Sequence, residues 1–122
     1  MSAWLTSDWI DAFDAALRSA PITGERLIIS HVVDCGNDKP SFDYTITVDK
    51  SGASAVPGTN PKAMVTFYQN AGTAQAIRSG DLAPGEAILL GHVTTSGDVA
   101  ALVEHRGTLE AIERVTANLD NA

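Results

Sequence analysis

The chain has 122 residues, enough for one hydrophobic core and too few for two. Its 15 acidic and 8 basic side chains give a formal net charge of −7, which repels nucleic-acid phosphates and anionic lipid headgroups over long range. A lone cysteine, Cys35, excludes an internal disulfide, and no apolar run approaches the roughly 18 residues that a membrane span requires. These bounds predict a single domain over residues 1–122 with no nucleic-acid partner and no stable membrane insertion. No basic segment precedes an apolar core at the N-terminus, so no signal peptide is expected. Asp120-Asn121-Ala122 is not a peroxisomal address, and a cytoplasmic protein is the simplest expectation.

The first element is a helix capped by Thr6 or Ser7 and running to about Ser19. Asp8 and Asp11 lie in its first turn and Arg18 in its last, as the helix dipole prefers. Leu5, Trp9, Phe13, Ala16 and Leu17 recur at helical spacing and predict an apolar stripe buried against a sheet. Pro21 and Gly24 end it. Arg26 to Val33 reads as a strand with apolar side chains on both faces, Leu27, Ile29 and Val33 on one and Ile28 and Val32 on the other. Strands buried on both sides read this way, so it belongs in the middle of the sheet. A turn-rich loop, Asp34 to Pro40, follows.

Phe42, Tyr44, Ile46 and Val48 then alternate with Asp43, Thr45, Thr47 and Asp49, the pattern of a strand with one dry and one wet face. Lys50-Ser51-Gly52 turns it into a weaker strand, Ala53 to Val56. Pro57 removes a ladder donor and puts that strand at an edge. Pro57-Gly58 and Asn60-Pro61 bracket a loop long enough to cross to another place in the sheet. Met64 to Tyr68 is a fourth strand, and a helix begins at Asn70 or Thr73 and ends at Gly80.

Gly80 to Asp98 holds four glycines and a proline around one apolar run. Pro84 and Glu86 suit the first turn of a short helix, which Gly91 stops. Val93 to Ser96 reads as a fifth strand ended by Gly97, and Asp98 as the N-cap of the closing helical region. Val99, Leu102 and Val103 are its first apolar positions. Gly107-Thr108 is expected to interrupt it before a second stripe, Leu109, Ile112 and Val115. Hairpins make the first three strands antiparallel, so the fold class is α+β: a five-stranded, mainly antiparallel sheet with helices covering one face.

No catalytic or metal-binding motif stands out. His31, His92 and His105 share no helical metal spacing with a second ligand type, Cys35 sits beside Asp34, and Ser96-Gly97 lacks the nucleophile-elbow pattern. Neither a metal nor another cofactor is expected, and the chain reads as a non-enzyme. One enzyme alternative is a small cone-shaped α+β fold resembling ketosteroid isomerases, with Tyr44 or Asp34 acting inside an apolar pocket. Such folds finish on strands, whereas this chain finishes on helices.

The landmarks from Lys62-Ala-Met-Val-Thr-Phe-Tyr through Thr73-Ala-Gln-Ala-Ile-Arg-Ser, Gly80-Asp-Leu-Ala-Pro, Ala87, Gly91 and Gly97-Asp98 fall in one order. That order resembles the sterol carrier protein-2 family of small lipid-binding domains, in a bacterial stand-alone form. The close match covers about half of the chain, and the first half agrees in its sequence of elements. The resemblance implies a five-stranded sheet whose central strand is the first. It also implies an elongated apolar tunnel between sheet and helices, holding a fatty acid, fatty acyl-CoA or sterol. Candidate ligand contacts are Phe13, Phe42, Tyr44, Ile46, Met64, Ile77, Ile88, Leu89, Leu102, Leu109 and Ile112. His92 stands where many relatives have lysine, and the acidic surface departs from basic relatives that dock on anionic membranes. The expected partner is a lipid or acyl-CoA. A second reading is an interaction or effector-sensing module, docking as a homodimer or on a separate enzyme or regulator. Exposed apolar surface at Met1–Leu5 or on the closing helices would support it.

Overall fold

A computed structural model describes residues 5–36 and 38–120, with Asp120 described by its backbone alone. Met1–Trp4, most of the expected N-terminal apolar patch, and Asn37 of the expected loop lie outside the described residues. The elements are α1 (Ser7–Ser19), β1 (Leu27–Asp34), β2 (Phe42–Asp49), β3 (Gly52–Pro57), β4 (Val65–Asn70), α2 (Ala71–Ser79), α3 (Pro84–Leu89), β5 (Thr94–Gly97), α4 (Ala100–Glu104) and α5 (Arg106–Asp120).

The five strands form one sheet in the order β3-β2-β1-β4-β5. All neighbours are antiparallel except β1 and β4, which run parallel from Ile29↔Val65 to Asp34↔Asn70. The two-sided strand is therefore central and the proline-terminated strand is an edge, as the sequence predicts. Helix α1 packs on β3 and against α5. Thr6 caps it by accepting the Trp9 N–H, and its buried stripe is Trp9, Ile10, Phe13 and Leu17. Asp14 ties helix to sheet edge: its carboxylate accepts the Ala55 N–H at 2.8 Å and pairs with Arg18 Nε at 2.9 Å. That contact occupies an N–H that an edge strand would otherwise offer to another chain.

On the opposite face the crossover, rather than a helix, lies over the middle of the central strands. Ser30 and Thr45 are paired across β1 and β2, both buried, with hydroxyls 2.8 Å apart. Thr45 donates to the Gly58 carbonyl at 2.7 Å, so the Ser30 hydroxyl donates to Thr45 and accepts the Asn60 N–H at 3.1 Å. Every member of this chain of bonds has a partner, which is what lets the polar loop lie on a buried surface. The "wet" face of β2 is thus dry at Thr45. Alternation could not reveal this, because the covering loop is remote in sequence.

The glycine-rich stretch behaves largely as read. Gly80 closes α2 in the left-handed region at φ 86°, and α3 begins at Pro84. Gly97 has φ 101°, and a Cβ there would collide with the Met64 carbonyl oxygen, which also accepts the Asp98 N–H. Asp98 accepts the Ala100 N–H at 3.1 Å, but the N-cap of α4 is Val99, one residue later than expected, and it makes no side-chain cap bond. Three more expectations are corrected. The break between the last two helices falls at His105, not at Gly107-Thr108, and Gly107 is absorbed in the first turn of α5. Glycine costs little there, since first-turn N–H groups have no helical partner anyway. In α4 it is Ala101 that is buried, while Val99 and Val103 (78% exposed) face solvent. The expected ligand contacts Ile88 and Leu89 do not face the core: α3 buries only Ala87 and turns Ile88, Leu89 and Leu90 outward.

Two substitutions test this frame. Ser30→Ala orphans the Asn60 N–H, with an expected loss of about 1–3 kcal/mol in urea unfolding. Gly97→Ala forces a Cβ into backbone at a positive φ and is expected to cost more than about 2 kcal/mol, with early loss of amide-exchange protection across β4 and β5.

Candidate functional site: an aromatic end to the helix-covered face

Side chains on the helix-covered face of β1 and β2 change character along the strands. At one end Leu27 pairs with Val48 and Ile29 with Ile46, all four sealed beneath Phe13, Leu17, Ile22 and Ile112. At the other end His31 pairs with Tyr44 on β2 and with Phe67 on β4, and Val33 pairs with Phe42. His31, Tyr44, Phe42 and Phe67 are only half-buried, although the strands that carry them are the middle ones of the sheet. Met64, Leu102, Leu109, Val115 and Leu119 are half-buried apolar side chains around the same core.

The rings make one cluster. His31 lies flat on Tyr44, with centroids 4.7 Å apart and planes 7° from parallel, and stacks on Phe67 at 5.1 Å. Trp9 stands edge-on to Tyr44 at 5.6 Å and to Phe42 at 6.1 Å, and stacks on Phe13 at 5.2 Å. Such offset and perpendicular arrangements are the favourable ones for aromatic quadrupoles. Trp9 and Phe13 are buried within this cluster, whereas the rings carried by the strands keep part of their surface exposed.

Two polar atoms in the cluster are buried without a hydrogen-bond partner, Trp9 Nε1 and His31 Nδ1. Burial pushes the His31 imidazolium down to about 4, so the ring is neutral at pH 7. Burial also pushes the Tyr44 phenol well above its usual value, so it keeps its proton. What this end can do chemically is donate and accept hydrogen bonds without carrying charge. Among the described residues no three of His, Cys, Asp and Glu gather where a metal ion could be held. Asp34, cast as a buried base in the isomerase alternative, is exposed at the strand end and accepts the Gly36 N–H at 3.0 Å.

The structure brings Phe13, Phe42, Tyr44, Ile46 and Ile112 together on the helix-covered face, with Met64, Leu102 and Leu109 packed against them. Ile77 lies half-buried on α2, and Ile88 and Leu89 (86% exposed) lie on the surface of α3. Three ring residues of the cluster were missed as candidates: Trp9, His31 and Phe67. The signal for His31 was present, since it shares parity with Leu27, Ile29 and Val33 on β1. A histidine in phase with buried aliphatics is a polar group on the dry face.

No family model and no curated protein matches this chain. Solved structures do. A crystal structure of sterol carrier protein 2 superposes with a TM-score of 0.74 at 20% identity, covering 94% of this chain and 98% of that one. The palmitated sterol carrier protein 2-like 2 of Aedes aegypti matches at a TM-score of 0.61 and 16% identity, covering 91% and 95%. A part of the inverting sec-alkylsulfatase of a Pseudomonas species matches at 0.57 and 24%, covering 82% of this chain but 15% of the enzyme. The class is an α+β domain with a mixed five-stranded sheet and its helices on one face. More particularly, the chain has the sterol carrier protein 2 fold.

The depressed His31 pKa predicts an acid-side cost. Between about 6.5, the unfolded value, and about 4 in the fold, the unfolded chain binds the extra proton. Stability therefore falls as pH drops through that window. By about pH 4.5 the loss relative to neutral pH is roughly 2 kcal/mol. His31→Phe removes this component, so the difference between variant and parent in urea midpoints should change by that amount between the two pH values.

Proposed function

We propose that residues 1–122 act as one non-catalytic domain that binds a hydrophobic ligand between the sheet and its helices. The ligand classes are a fatty acid, a fatty acyl-CoA or a sterol, held in an elongated apolar space. One observation carries this reading: half-buried rings on the helix-covered face of the central strands, beside a sealed aliphatic end. A core meant only for stability would close over β1 along its whole length. The sterol carrier protein 2 fold and the palmitated state of the Aedes aegypti protein support the same ligand class. Phe42, Tyr44, Met64, Leu102 and Leu109 are the proposed contacts, with Phe13, Ile46 and Ile112 as the packed floor. Ile77, Ile88 and Leu89 belong to the proposal only as residues near an entrance.

Energetics allow it. Each buried methylene contributes about 0.8 kcal/mol, so a chain of about sixteen gains about 13 kcal/mol before association and ordering costs of at least about 4. Micromolar affinity needs no specific polar contact, and selectivity among chains of similar length is then low. No described helix is long and apolar enough to cross a membrane, and the negative charge disfavours exchange at anionic bilayers. A cytoplasmic carrier is the setting we propose, in line with the free thiol of Cys35.

The second reading, an interaction module, rests on the exposed apolar side chains Ile88, Leu89 and Leu90 at α3 and Val99 and Val103 at α4 and on the likeness to part of an alkylsulfatase. Sedimentation velocity at tens of micromolar chain tests whether that surface self-associates.

The primary experiment is native mass spectrometry of the purified protein, followed by delipidation and titration with N-phenyl-1-naphthylamine, an uncharged apolar dye. Co-purified lipid and saturable micromolar binding are expected. Leu102→Trp, which enlarges a half-buried side chain packed against the core, should weaken the probe about tenfold while leaving the thermal midpoint within a few degrees. No bound lipid and no saturable uptake would end the carrier reading.

A further inference from the structure

Among the described residues, two ring nitrogens of the aromatic end are buried without a hydrogen-bond partner. On the opposite face every hydroxyl of the Ser30–Thr45 chain has a partner. On the helix-covered face, Trp9 Nε1 and His31 Nδ1 are buried with none. Orphaned buried polar atoms are scarce in folded proteins and mark an unfilled bonding requirement. Both rings abut the same third ring, that of Tyr44, from two sides.

We infer that Trp9, His31 and Tyr44 form a hydrogen-bonding subsite inside the proposed apolar space, selecting an uncharged amphiphile with a hydroxyl or carbonyl over one with a carboxylate or phosphate. This deepens the carrier reading and rests on it. Trp9 supplies a donor only; neutral imidazole supplies one donor and one acceptor; the phenol supplies both. A ligand hydroxyl, which donates and accepts, can satisfy either the indole or the imidazole, and a carbonyl can satisfy the indole. An anion brings a charge that nothing in the cluster neutralises. Every lysine and arginine is exposed except Arg78, which is half-buried on α2 and donates to Gln75. A buried carboxylate without a cation is strongly disfavoured, and the net charge of −7 adds to that penalty. The subsite therefore ranks long-chain alcohols, ketones and sterols above fatty acids and acyl-CoA.

The test uses the delipidated full chain and displacement of N-phenyl-1-naphthylamine, an uncharged apolar dye. Three competitors share one chain length: 1-dodecanol, 1-chlorododecane and sodium dodecanoate near neutral pH. One net hydrogen bond predicts that the alcohol binds about three- to tenfold tighter than the chloroalkane, and tighter than the carboxylate. His31→Phe keeps a ring at that position and should bring the alcohol and the chloroalkane to equal affinity. Cholesterol against cholesteryl chloride repeats the comparison on a rigid skeleton, and an advantage on either skeleton supports the subsite. As a measurement that needs no variant, the imidazole ¹⁵N shifts of His31 in the parent should move with the alcohol and not with the chloroalkane. Equal affinities of alcohol and chloroalkane on both skeletons, a carboxylate that binds tightest, or unmoved ¹⁵N shifts overturn the subsite and leave the carrier reading standing. Failure of the dye and all competitors to bind overturns the carrier reading itself.

Discussion

Strand β1 must be covered on both sides, and the architecture follows from how that is achieved. Its neighbours are one antiparallel strand, joined through a short loop, and one parallel strand, β4, which a hairpin cannot supply. The chain leaves the edge strand β3 and crosses the sheet before it can run alongside β1. In crossing, residues 58–60 lie over Ser30 and Thr45 and cover the middle of one face by hydrogen bonds instead of apolar packing. The helices are thereby free for the other face. The polar crossover and the apolar helix layer are two answers to the same requirement of the central strand.

The helix layer answers it unevenly. Leu27, Ile29, Ile46 and Val48 are branched or compact and interlock beneath α1 and α5. Beyond them the same two strands carry His31, Tyr44 and Phe42, flanked by Phe67, and here flat rings meet the indole of Trp9. The short helices cover this end thinly: α3 buries only Ala87, and α4 buries Ala101 with Leu102 half-buried against the core. The residual exposure of the rings and the unsatisfied nitrogens among them come from one cause: an end of the core furnished with planar, polar-edged groups. The proposed ligand space lies where the aliphatic packing stops.

Electrostatics reinforce the division. Cations stay on the outside, where they serve helix ends, as Arg18 does with Asp14 on α1. The interior keeps a neutral imidazole and a protonated phenol. A site of this kind distinguishes ligands by the hydrogen bonds they offer, because its low polarity amplifies the cost of any uncompensated charge.

Local signals in the sequence determined most of the elements and the layer order. Period-2 alternation gave β2, two-sided hydrophobicity placed β1 at the centre, Pro57 placed β3 at an edge, and Gly80, Gly91 and Gly97 marked the ends of elements. These succeed because each depends on backbone geometry or on burial shared by near neighbours in the chain. Signals that need a partner far away failed or were silent. Thr45 reads as solvent-facing until Gly58 arrives, the break falls at His105 rather than at the glycine two residues on, and Leu89 reads as a ligand contact although α3 turns it outward. Trp9, His31 and Tyr44 stand at positions 9, 31 and 44, and only the register of β1 with β2 and the seating of α1 above them bring three polar-edged rings to one place. Sequence alone fixes which side chains are apolar and in what period; which polar atoms end up among them without partners is decided by the packing of segments that are distant along the chain.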